Sequence, residues 1–288
     1  MRAYDFTAQQ NMLRIALEML KENNLLEFSA LGGGTALSAK YWNHRFSTDI
    51  DIFIYKNAVG SKDLLTHHNW SKRAQEQMKT LGYQGDMKFQ NIYLEFTITE
   101  KCKIQFFDVK GFTEAPFTKS TLWEHAAINI EKPEEIIAKK LFYRAGKGNA
   151  RDIFDIAVAL QKDPLMFKKI PTIPIEKHEE LLASLEVITS DEKLRKAYFA
   201  DIRDIQPNAG YDELAYTAID YLRIVLENYT ASVKHNIHLD DRDHVLFAAE
   251  AQKEAKEIFK NHAWILIEQI MQEEKDHQKL YNTDTPFI

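Results

Sequence analysis

The sequence predicts an α+β chain, with a mixed sheet and flanking helices over residues 1–163 and a helical bundle over residues 164–288. Three observations carry this expectation. Strand-like alternation is confined to the first half, in Phe46–Tyr55, 88–98 and 102–109. Helical periodicity runs unbroken through the second half. Pro164, Pro171 and Pro174 punctuate residues 163–175 between them. A length of 288 residues also suits two modest domains better than one.

Taken in order, residues 7–26 read as an amphipathic helix, with Leu13, Ala16, Leu17 and Leu20 at helical spacing and Asn23-Asn24 weakening its end. The run Gly32-Gly33-Gly34 follows, then TALSAKYW, with Thr35 placed to cap that segment. A glycine turn that opens a helix offers free N–H groups and the positive end of the dipole, which suits phosphate. It is neither a Walker A sequence nor a dinucleotide fingerprint.

From Phe46 to Tyr55, Ile50, Ile52 and Ile54 alternate with Asp49, Asp51 and Phe53. The isoleucines fill a core, so both carboxylates share the other face. Like charges that close raise each other's pKa unless a cation lies between them. A hard divalent ion such as Mg2+ does this, with water and substrate phosphates completing its shell. Arg45 and Ser47 stand just before the pair.

Residues 61–81 read as a polar helix, with His67 and His68 on its surface. Residues 88–98 and 102–109 form a hairpin, and Cys102 fills a strand. Glu95 and Asp108 are candidates for a third metal acid.

A short strand from Ile128 leads to Pro133 in the first turn of a helix, with Glu134 and Glu135 behind it. That helix carries Lys139, Lys140 and Arg144, the loop AGKGNA ends it, and a second begins at Arg151-Asp152. Lys140, Arg144, Lys147 and Arg151 form a cationic patch in a chain of net charge −6.

Helices at 176–187, 191–204, 211–231 and 241–275 make the bundle. The run HNIHLDDRDH reads as an interhelical loop with a cap at Asp240 or Asp241, because its spacing matches no zinc pattern. One cysteine, no signal-peptide core and no membrane-length apolar run lead to the expectation of a cytoplasmic protein that spans no membrane.

Three segments together resemble the AbiEii/AbiGii-type nucleotidyltransferase toxin family, a branch of the polymerase-beta-like nucleotidyltransferase superfamily. They are GGTAL (33–37), HRFSTDIDIF (44–53) and KPEEIIAKKLFYRAGKGNARDIFDI (132–156). The resemblance implies a polymerase-beta-like domain and a Mg2+-dependent toxin of a toxin–antitoxin or phage-defence system. It would move NMP from an NTP to an acceptor hydroxyl such as a tRNA 3′ end. Gly33, Gly34 and Thr35 would line the nucleotide site, Arg45 and Ser47 would contact phosphates, and Asp49 and Asp51 would hold Mg2+. Lys140, or Lys139 beside it, would reach the triphosphate, and Asp152 would orient it or act as a base. Many members of the superfamily carry a third metal acid on a later strand, and the resemblance implies that the run KIQFF sets Gln105 in that place, which would leave two metal acids and make Asp108 a bystander. A cognate antitoxin would be a partner. The alternatives are transfer to a protein or small molecule, and a non-catalytic module that binds nucleotide or antitoxin.

Overall fold

The computed structural model describes residues 3–55, 87–90, 93–99 and 102–282, with the single positions 72, 76 and 79. The helix expected over residues 61–81, with His67 and His68, lies outside the described residues except at those positions. The chain divides into two compact units. The first comprises Met1–Tyr143, Met166–Ile173 and Gln206–Gly210, and the second Arg144–Leu165, Pro174–Ile205 and Tyr211–Ile288. Against the expected boundary at 163/164, residues 144–163 group with the second unit, and 166–173 and 206–210 with the first.

The first unit is built on one mixed sheet. Its described strands are β1 (Ser29–Gly32), β2 (Ile50–Ile54), β3 (Met87–Gln90), β4 (Tyr93–Thr99), β5 (Cys102–Asp108), β6 (Phe117–Leu122) and β7 (His125–Glu131), in the order β3-β4-β5-β2-β1-β7-β6. β2 runs parallel to β5 and antiparallel to β1, and β1 runs parallel to β7. The hairpin of residues 88–109 is present as β4 and β5, but its first run holds two strands, with Gln90 opposite Tyr93. β6 has no clear alternation in FTKSTL and was not expected; it is an edge strand held through its pairing with β7.

Register explains the core. Ile52 lies opposite both Leu31 and Phe106, and Ile50 opposite Ile104, so one face of the sheet is continuous and apolar. Helix α1 (Thr7–Glu22) packs against β2 and β5. Its Leu13, Ile15, Ala16 and Met19 are fully buried, as are Ile50, Ile104 and Phe106. Each large apolar side chain so buried contributes about 1.5–3 kcal/mol. The opposite face carries the polar members of the alternation, so the packing of α1 leaves Asp49 and Asp51 on the other side.

The second unit holds helices α4 (Ala150–Lys162), α5 (Ile175–Ser190), α6 (Glu192–Asp204), α7 (Asp212–Lys234) and α8 (Asp241–Asn282). α7 is its centre and packs on α4, α5 and α8, with Leu214, Ala218 and Leu222 buried. The contact with α7 is why α4 belongs to this unit. Caps set the boundaries: Asn149 accepts from Arg151 N at 3.0 Å, and Asp191 from Lys193 N at 2.7 Å. Asp240 accepts from Arg242 N at 2.7 Å and from Asp243 N at 3.0 Å, so the HNIHLDDRDH run is a loop as far as Asp240 and then the capped first turn of α8.

His178 on α5 is 1% exposed, and burial depresses its pKa to about 4. Its Nε2 has no partner among the described residues. A folded pKa below the unfolded value of ~6.5 means that the unfolded chain takes up the proton first. The stabilisation is thus complete above pH ~6.5 and is lost as pH falls toward 4. The full difference is about 3 kcal/mol. Thermal unfolding from pH 7 to 4.5 is expected to show a drop in stability that His178→Phe removes; an unchanged slope in the variant would sink this account.

Candidate active site

The polar face of β2 is assembled from the glycine turn outward. Gly32 ends β1, and residues Gly33–Ala36 form a short α-helix, α2, that continues as a π-helical turn over Leu37–Trp42. Gly32 is the N-cap and has no side chain to offer, so Thr35 does not cap the helix as expected. Thr35 is fully buried, and its hydroxyl donates to Asp49 O at 2.5 Å and also bonds Ser47 Oγ at 2.9 Å. Its role is to tie the helix to the loop before β2.

Each glycine makes room for a charged side chain. A Cβ on Gly32 would lie 2.2 Å from Glu131 Oε2. One on Gly33, whose φ is +64°, would lie 2.0 Å from Asp51 Oδ2. One on Gly34 would lie 2.3 Å from Arg45 Nη2 and 3.1 Å from Ser47 Oγ. Sequence reasoning took the run as a source of free N–H groups. The structure adds that the glycines let Glu131, Asp51 and Arg45 close against the backbone.

Arg45 is 3% exposed and donates to Phe46 O at 2.9 Å. The segment around it is clamped from several sides: Ser38 Oγ donates to Arg45 O, Gln9 Nε2 to Thr48 O at 3.2 Å, and Asn208 N to His44 O at 2.8 Å. Asn43, where the turn begins, has φ +49° and accepts from Asn208 Nδ2 at 3.0 Å. These tethers hold Arg45, Ser47 and Asp49 within one short, fixed stretch.

Asp49 and Asp51 are half-buried, while Ile50, Ile52 and Ile54 behind them are at most 1% exposed. Gln105 lies directly beside Asp51 in register. Asp108 pairs with Ile54 and so belongs to the face packed by α1, away from Asp51. Among the described residues no group of three or more His, Cys, Asp or Glu side chains gathers as a metal site. Asp49 and Asp51 offer carboxylate oxygens, a donor type that suits a hard ion that keeps positions for water and phosphate.

A second buried cluster on the same face went unseen in the sequence. Helix α3 (Pro133–Arg144) places the Lys139 ammonium 3.8 Å from the centre of the Phe53 ring. Lys139 pairs with Glu131, bonds Tyr55 Oη at 2.5 Å and lies 3.4 Å from Glu135. Tyr55 donates to Glu131, and Glu135 accepts from the backbone N–H of Phe112 and Thr113 at 3.0 and 2.9 Å. Burial pushes the Glu131 carboxyl up to about 7, opposed by Lys139, and one of its oxygens has no partner among the described residues. Burial, with Glu131 and Glu135 beside it, raises the Tyr55 phenol well above its ordinary value. The available signal was parity: in INIE, Asn129 and Glu131 alternate with Ile128 and Ile130.

Lys139 and Lys140 are both buried. The ammonium of Lys139 is committed to the Glu131 cluster. Asp152 lies in the second unit, 6% exposed, and Arg144 Nη1 stands 3.5 Å from its Oδ2. Asp155 on the same helix is fully buried. Of the cationic patch, Arg144, Lys147 and Arg151 are exposed, while Lys140 is not and drops out of it. No described helix is long and apolar enough to cross a membrane.

The family model described as "Nucleotidyl transferase AbiEii toxin, Type IV TA system" matches residues 15–183. Among solved structures, the chain is similar to JHP933 from Helicobacter pylori, at 18% identity and a TM-score of 0.43, covering 81% of this chain and 99% of that one. It is also similar to the nucleotidyltransferase toxin MenT4 from Mycobacterium tuberculosis, at 15% identity and a TM-score of 0.38, covering 86% and 94%. A search of curated proteins found no significant match.

Proposed function

We propose a specific reaction for this chain, which belongs to the AbiEii nucleotidyl transferase toxin family of type IV toxin–antitoxin systems and is a nucleotidyltransferase: it transfers NMP from an NTP to a hydroxyl at a tRNA 3′ end. The observation that carries the reading is the outward pair Asp49 and Asp51, with Gly33 cut back to admit Asp51 and Gly34 to admit Arg45. Mg2+ held by Asp49 and Asp51 would supply neutralising charge to the triphosphate. Arg45 and Ser47 bind phosphate oxygens, and Gly33 and Gly34 let the backbone approach them. Thr35 keeps that loop in place. Lys140 adds positive charge toward the triphosphate.

In the reaction the acceptor oxygen attacks the α-phosphorus. The bond from that phosphorus to the bridging oxygen breaks, pyrophosphate leaves, and the hydroxyl proton passes to a carboxylate or to water. Asp152 is the candidate for that proton or for orienting a cation, and Asp152→Ala tests its part. The exposed Arg144, Lys147 and Arg151 suit a phosphate backbone, so binding of tRNA should weaken steeply with salt. The toxin's cognate antitoxin is its protein partner.

Incubation with each labelled NTP, Mg2+ and either tRNA or total protein checks this. Label is expected in the tRNA fraction, released by 3′ exonuclease and abolished by EDTA. Label in protein or a small molecule would move the acceptor. No transfer with any of the four NTPs to any fraction would end the catalytic proposal.

A further inference from the structure

One row of side chains crosses four strands of the first unit. Asp51 on β2 pairs with Gln105 on β5, Gln105 with Glu95 on β4, and Glu95 with Lys88 on β3. Directly paired residues project from the same face of a sheet. Gln105 Nε2 donates to Glu95 Oε2 at 2.6 Å. Glu95 is 3% exposed and lies 3.3 Å from Lys103 Nζ and 3.8 Å from Lys88 Nζ. The amide nitrogen is the atom turned to Glu95, whose carboxylate oxygen accepts. The amide oxygen is then turned away from β4. The strand on the other side of β5 is β2, and its residue in register is Asp51.

We infer that Gln105 supplies a neutral oxygen to the site of Asp49 and Asp51, and that Glu95 is the positioning residue that keeps this oxygen facing it. The inference rests on the reading of Asp49 and Asp51 as metal ligands given above. It accounts for the pairing of residue types at these two positions. An acid at 105 would stand directly opposite Glu95, and like charges so placed repel. A glutamine there turns Glu95 from a competitor into an anchor. Lys88 and Lys103 balance the anchor's charge, so the protein donor set keeps two negative charges rather than three. Such a site binds a divalent ion weakly by itself and more tightly with a triphosphate, which brings its own charge.

Binding of Mn2+ to the full chain without nucleotide, followed by electron paramagnetic resonance, tests this apart from activity. Gln105→Ala removes the oxygen, and Glu95→Gln removes the acceptor that orients it; each is expected to weaken Mn2+ binding roughly tenfold. The exchange Glu95→Gln with Gln105→Glu keeps the hydrogen bond and places a carboxylate beside Asp51, and is expected to bind Mn2+ more tightly than the wild type. If Glu95→Gln fails to fold, Gln105→Ala and the exchange still decide. Wild-type binding in both of these, with Asp51→Ala losing Mn2+, would place Gln105 outside the site. Undiminished binding by Asp51→Ala would instead overturn the metal reading itself, and this inference with it.

Discussion

Gly33→Ala is expected to lower nucleotidyl transfer as far as Asp51→Ala does, on the order of a thousandfold, since each removes the same preorganised charge. A methyl group at Gly33 would lie 2.0 Å from Asp51 Oδ2 and 2.8 Å from its Cγ. The carboxylate must therefore leave its place or the turn must open. Alanine at φ +64° costs about 1–2 kcal/mol besides. Neither change empties the core, because α1 and the isoleucines of β2 lie on the opposite face. The fold should persist while the site is lost, and displacement of a catalytic group by about 1 Å already costs roughly a hundredfold. The double variant separates the two roles of Gly33: a rate equal to that of Asp51→Ala assigns the whole loss to the carboxylate, and a slower one adds the backbone's approach to phosphate. Gly210→Ala is the control, since a Cβ there meets nothing within 4 Å. Transfer of label to tRNA, measured beside a melting curve, checks the set. Wild-type rates in a folded Gly33→Ala protein would show that the turn does not set the position of Asp51.

Local chemistry made much of this protein legible in advance. Ile50, Ile52 and Ile54 define their strand because period two is a property of the strand itself, and the same alternation puts Asp49 and Asp51 together. The helix starts at Pro133 and after Asp240 are written in single first-turn or capping residues. What stayed hidden depends on pairing between distant segments. The glycines look like a phosphate turn until β1, β2 and β7 are aligned, and only then does each face a charged neighbour. The Glu131–Lys139–Tyr55 cluster joins residues separated by as many as 84 positions, and the parity of INIE says only that Glu131 leaves the apolar face, not what it meets there. Gln105 carried a suspicion from its run, but the register with Asp51 and the bond to Glu95 turn that suspicion into a testable role. The same holds for Asn208, whose clamp on His44 reaches back from 165 residues beyond Asn43.

In the second unit the largest expected loss of stability comes from Asp220→Ala. Arg195 on α6 and Asp220 on α7 are 3% and 2% exposed and meet through two hydrogen bonds, Nη1 to Oδ2 at 3.1 Å and Nη2 to Oδ1 at 3.3 Å. Removing the carboxylate leaves a guanidinium buried without its counter-charge, which costs about 3–5 kcal/mol. For a chain of this size that corresponds to a fall in Tm on the order of 10 °C. Yet the pair is not needed for stability as such. Arg195 Nε has no partner among the described residues, so part of the desolvation of that cation goes uncompensated. The double change Arg195→Met with Asp220→Leu removes both charges and fills the space with apolar atoms. It is expected to return most of the lost stability, and even to exceed the wild type, because apolar replacements of buried ion pairs are often neutral or stabilising. Arg195→Lys should fall between, since an ammonium cannot match both carboxylate oxygens. Thermal unfolding of the three variants orders them: the double variant highest, Arg195→Lys next, Asp220→Ala lowest. A double variant as unstable as Asp220→Ala would mean that the ion pair itself, rather than the avoidance of a lone buried charge, holds α6 to α7.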